Sequence, residues 1–160
     1  ATAMIGLKNA DKFAAIAVMG AGGYDDEGVR AAVKSVKDKT DLPFVVIKGS
    51  NDGFTKDENG SIVPTDLGRF GGLERIMEIN ELEYGNPDFA AWPYWGYASY
   101  DAEIQTSLGL KYDVSYMYKK GSDKPVAKLV ILETAGHAHS EYFAALAWDF
   151  FSMFSRTPEG

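Results

Sequence analysis

The stretch ILETAGHAHSEYFAALAWDFFSMF, residues 131–154, holds both histidines of a 160-residue chain. An apolar run stops at Glu133, a short turn carries His137 and His139, and a strongly apolar helix follows. A strand–turn–helix of this kind exposes an imidazole at the turn while the strand and the helix hold it rigid. How the whole chain is read depends on whether other strands end in the groups such a histidine needs.

Outward from this stretch the same grammar repeats. The spacing predicts a last helix over 140–155, with Phe143, Leu146, Ala147, Phe150 and Phe154 on one face. Ahead of the turn, PVAKLVIL (125–132) is a core strand. The turn GSDK joins it to KYDVSYMYK (111–119), where Tyr112, Val114, Tyr116 and Tyr118 alternate with polar residues as in a half-exposed strand. LPFVVIKG (42–49) and FAAIAVMG (13–20) are short continuous apolar runs ended by glycine, the pattern of buried parallel strands. Between them Val29, Ala32, Val33 and Val36 predict an amphipathic helix over 27–38, with Asp25 or Asp26 as its cap. Residues 1–9 are helix-like, 50–65 read as a polar loop, and 66–83 as a helix carrying Leu67, Phe70, Leu73, Ile76 and Met77. Residues 84–100 are irregular and aromatic. Strands alternating with helices predict an α/β fold, with a mainly parallel sheet covered by helices on both faces.

The composition narrows the function classes. At 160 residues and 46% hydrophobic content the chain forms one domain with an ample core. A net charge of −7 argues against nucleic acid as a partner, because phosphate binding needs clustered lysine and arginine. No stretch reaches the ~20 apolar residues of a membrane span, so no membrane partner is expected. The absence of cysteine excludes disulfides, thiol catalysis and thiolate metal sites. ATAMIGLKNADKF has no basic leader or long apolar core and reads as the middle of a helix, so residue 1 is expected to be a processing or cloning boundary with sequence upstream.

In parallel sheets chemistry collects at the carboxyl ends of the strands. Three places qualify here: the GAGGYDD loop, GSNDGF after the strand over 44–47, and TAGHAH after 126–132. Asp52 in the second and His137 or His139 in the third follow the order acid-then-base of the α/β-hydrolases, in which the carboxylate fixes the imidazole tautomer and the imidazole takes a serine proton. GAGG lacks the spacing and lysine of a phosphate loop and reads as a turn. His-x-His with Glu133, Glu141 or Asp52 could also form a zinc site, the weaker alternative.

Here the chain resembles the C-terminal half of an α/β-hydrolase of the feruloyl-esterase, acetylxylan-esterase and polyhydroxybutyrate-depolymerase group. That group carries a strand followed by HGxxD, matched by KGSND at 48–52 with Lys48 in place of the histidine. It also carries GGH or AGH followed by an aromatic-rich helix, matched by TAGHAHS…AWDFFSMF. LKNADKFAAIAVMGAGG resembles the segment after the family's nucleophile elbow. The resemblance implies Asp52 as triad acid and His137, directly after Gly136, as base. Gly136 is expected to let the chain turn sharply and aim that base across the sheet top. His139 is left to line the pocket, and no metal or cofactor is implied. Trp92, Tyr94, Trp95 and Phe54 are expected to contact an ester substrate from a lid or insert over 53–110. Lys48 is expected to have no chemical role.

The family's G-x-S-x-G elbow is absent from these 160 residues. The resemblance therefore implies a serine esterase whose nucleophile and oxyanion hole lie on another chain segment, with this chain alone inactive and a polymer-directed member exported. The alternative is a non-catalytic, hydrolase-like binding or assembly domain.

Overall fold

The computed structural model describes residues 2–19, 27–36, 40–49, 54–56, 58–59, 62–64, 77–82, 100–107, 110–132, 135–137 and 142–157. Helix α1 spans Thr2–Lys8, strand β1 Ile16–Met19, helix α2 Glu27–Val36 and strand β2 Phe44–Gly49. Strands β3 (Phe54–Lys56) and β4 (Ile62–Pro64) follow, then β5 (Tyr100–Ser107), β6 (Leu110–Tyr118), β7 (Pro125–Leu132) and helix α3 (Tyr142–Phe151).

Five strands form one mixed sheet in the order β1-β2-β7-β6-β5. The parallel part is β1-β2-β7, with Val46 of β2 beside Val18 and Leu129. The antiparallel part is β7-β6-β5. The fold is thus α/β, with helices on both faces of the sheet.

Strand alternation sorts the core into two layers, because successive side chains leave a strand on opposite faces. Phe44 and Val46 of β2 and Ala127 and Leu129 of β7 meet Leu7 of α1 and Val29 and Val33 of α2. Val45, Ile47, Val130 and Leu132 take the other face and pack under Phe143 and Phe150 of α3. Full burial of one such Val, Leu or Phe side chain contributes about 1.5–3 kcal/mol. β2 is buried along its whole length, which is why its sequence is a continuous apolar run rather than an alternating one.

One polar clamp sits inside the first layer. Asn80 is fully buried, its Oδ1 accepting from the Leu42 amide at 2.8 Å and its Nδ2 donating to the Leu42 carbonyl at 2.7 Å. It satisfies both backbone groups of Leu42, the residue two before β2. Leu82 and Met77 on the same segment join that layer.

Two expectations change. Residues 50–65, read as a polar loop, contain the antiparallel pair β3-β4, with Phe54 opposite Pro64. β5 is not among the expected elements, although Tyr100, Ala102, Ile104 and Thr106 alternate with Asp101, Glu103, Gln105 and Ser107 in the period-2 pattern of a half-buried strand. Its pairing makes β6 an inner strand, so Tyr112 and Val114 are buried on one face and Met117 on the other. The alternation expected over 111–119 is present at Tyr112 and Val114, and Met117 adds a buried position on the opposite face. The β6–β7 turn contains glycine for a physical reason, since Gly121 has φ +79° in the left-handed region. The helix expected over 66–83 is described only at 77–79, and Asp25 and Asp26 lie outside the described residues.

Candidate functional site

β2 and β7 are parallel neighbours in a register that sets Gly49 beside Leu132, so both chains leave the sheet at the same end. The loop after β7 folds back onto the last residue of β2. A Cβ built on Gly49 would stand 2.2 Å from the Ala135 carbonyl oxygen, 2.6 Å from the Ala135 carbonyl carbon and 2.6 Å from the Gly136 oxygen. No real side chain tolerates such contacts with backbone, so this loop seats on β2 only because residue 49 is glycine. Ala135 is itself packed on the α3-side core layer.

His137 follows immediately and is exposed at this end of the sheet. It is not without an interaction partner. Asp52 lies three residues past Gly49 and outside the described residues, as do His139, Trp92, Tyr94 and Trp95. Phe54 has its backbone in β3, and its side chain lies outside the description. Among the described residues no three His, Asp or Glu side chains come together as metal ligands, and Asp52, Glu133, His139 and Glu141 are not among them.

The geometry changes the part assigned to two residues. Gly136 is expected to let the chain turn sharply before His137, and the structure shows no steric or left-handed requirement for glycine there. Gly136 lies outside the left-handed region, and nothing stands within 4 Å of where its Cβ would be. The glycine that the loop requires is Gly49, one strand away. Sequence reading saw it only as a strand terminator, because a close approach between segments more than eighty residues apart leaves no local signature. Lys48, given no role, is 2% exposed at the carboxyl end of β2, with the parity of Phe44 and Val46, and it has an interaction partner. A lysine so buried is held by its partner, since an isolated ammonium would give up its charge instead. The signal for it was the lone polar residue within the apolar run 42–49.

Compared with family models, curated proteins and solved structures, the chain matches none. Among the described residues no helix is long and apolar enough to cross a membrane.

Proposed function

We propose that this chain carries the acid and the base of a serine carboxyl-ester hydrolase. His137 is the base, Asp52 orients it, and the nucleophilic serine belongs to a polypeptide segment outside these 160 residues. The observation that supports the reading is the seating of the His137 loop on Gly49. It brings the turn holding the base against the chain three residues before the proposed acid, at the carboxyl ends of adjacent parallel strands. In this scheme the imidazole takes the serine hydroxyl proton as the oxygen attacks the ester carbonyl, then delivers it to the leaving alcohol. Water repeats the sequence to release the acid, while the Asp52 carboxylate stabilises the imidazolium in both halves. Trp92, Tyr94, Trp95, Phe54 and His139 are proposed to line the substrate side.

The test uses the intact protein, a fluorophosphonate label and a chromogenic ester. Labelling and turnover should both disappear in His137→Ala. Asp52→Asn should lower turnover by a factor of order ~10⁴, as in the best-studied triad. The label should map outside these 160 residues, and chelators should leave the rate unchanged. A label on Ser50, Ser99 or Ser140 would overturn the assignment of the nucleophile. Activity lost to a chelator and restored by zinc would overturn the triad itself. No hydrolysis of any ester would favour a hydrolase-like binding or assembly domain.

A further inference from the structure

The amino ends of the same strands hold a different kind of place. A cavity of about 330 Å³ opens between the segment leading into β2, the β6–β7 turn and the tail after α3. Three cationic side chains line it, Lys119, Lys124 and Arg156, against one carboxylate, Asp41. Lys119 is spoken for: its ammonium lies 2.7 Å from Asp41 and 3.4 Å from Glu81. The other two cations meet only neutral groups. Arg156 donates from Nε to the Phe13 carbonyl at 3.0 Å, from Nη1 to the Thr40 hydroxyl at 2.8 Å and from Nη2 to the Asp41 carbonyl at 3.1 Å. Lys124 donates to the Met153 carbonyl and stands 4.1 Å over the Phe154 ring. Among the described residues neither forms an ion pair.

The donor count is what matters. A guanidinium has five N–H groups. With one bond used at each of its three nitrogens, one N–H remains on each terminal nitrogen of Arg156. The Lys124 ammonium has three N–H groups, of which one is committed to Met153. The guanidinium is tied to three acceptors on two separate segments, so its orientation is set before any ligand arrives. A chain of net charge −7 thus sets two cations with spare donors and no ion-pair partner among the described residues in one cavity, where three cations against Asp41 and Glu81 leave a net positive charge. Ala14, Pro43 and Val126 give the same cavity an apolar wall.

We infer that this cavity is a binding site for a small organic carboxylate. The carboxylate sits between Arg156 and Lys124, and an apolar body lies against Ala14, Pro43 and Val126. Carboxylate and guanidinium match in geometry, and charge-assisted bonds of this kind are stronger than neutral ones. The apolar wall and the volume select an organic anion over a bare inorganic one. The site lies at the opposite end of the strands from His137 and stands or falls independently of the esterase reading.

Titration of the ¹⁵N-labelled intact protein with benzoate tests it, with benzamide, acetate and inorganic phosphate as comparison probes. Benzoate should bind saturably and move amide signals at 40–42, 122–124, 126 and 154–156. Benzamide, acetate and phosphate should each bind at least about tenfold more weakly. Lys124→Gln should weaken benzoate about tenfold, and so should Arg156→Lys, which keeps the charge but loses the fork. Lys124 is exposed, so its variant should keep the parent spectrum and report on binding even if an Arg156 variant loosens the tail. Added salt should weaken benzoate binding. The inference is overturned if benzoate does not saturate, if benzamide or phosphate binds as well, or if Lys124→Gln binds benzoate unchanged.

Discussion

Replacing Gly49 with alanine tests the joint between the two strand ends. The new methyl would lie 2.2 Å from the Ala135 oxygen, where ordinary contact begins at 3.4 Å. The backbone of 135–136 must then retreat by about 1.2 Å, or β2 must shift within a fully buried strand. Because the obstructing atoms are main chain, no rotamer change relieves them. Overpacking of this kind costs about 1–3 kcal/mol. At roughly 2–4 °C per kcal/mol for a domain of this size, the melting temperature should fall by roughly 2–12 °C. The control is Gly136→Ala, one residue before His137 in the same loop. Its Cβ enters open space with no left-handed backbone to strain, so it should stay within about 0.5 kcal/mol of the parent. Urea denaturation of the two variants reads both numbers. If His137 is the base, Gly49→Ala should also lower ester turnover more than its stability loss explains, since a displacement near 1 Å can cost ~10²-fold. A stable, unimpaired Gly49→Ala protein, or a Gly136→Ala protein more damaged than it, would refute the seating of the loop on β2.

Asn80→Leu should remove about 2–4 kcal/mol of stability by urea denaturation, because both Leu42 backbone groups lose their buried partner. A loss under about 0.5 kcal/mol would mean that water replaces the amide at no cost. His139→Ala in the intact protein should keep phosphonate labelling and lose at most about tenfold in rate, the scale of ~1.4 kcal/mol. Equal loss in His137→Ala and His139→Ala would point to a metal or a histidine pair. The Asp41 hydrogen bond, aided by the charges of Asp41 and Glu81 and opposed by burial, raises the Lys119 ammonium above the ordinary lysine value. A raised folded-state value stabilises below the unfolded-state value and is lost as pH rises through the folded one. Thermal melts should therefore show a decline above about pH 10.4 that is absent in Lys119→Met. The partly exposed pair should account for less than about 1 kcal/mol of it.

Much of the architecture was legible in residue order because it rests on local periodicity. The buried runs at 13–20 and 42–49, the helical spacing of Val29 and Val33, and the apolar helix after the histidine turn are all written within windows of about ten residues. Each became the element expected, β1, β2, α2 and α3, and β7 followed the run at 125–132. The GSDK turn was equally local, because Gly121 takes a backbone conformation that other residues rarely adopt. The candidate base was legible for the same reason: His137 follows a strand and precedes a helix in one continuous stretch. What depended on partners distant in the chain was not legible. β5 carries the alternation of a strand in its own sequence, but its antiparallel pairing with β6 is visible only in the fold. Asn80 matters because Leu42 lies beside it, thirty-eight residues away in sequence. Arg156 looks like a polar residue of the tail until the fold sets it against Phe13, Thr40 and Asp41. Gly49 shows the division most directly. Its sequence context announces the end of a strand, but the requirement for glycine comes from a loop more than eighty residues away that rests on its Cα. Hydrophobic periodicity is a property of neighbours along the chain, whereas close approach, pairing and charge neutralisation are properties of neighbours in space, and only folding makes those.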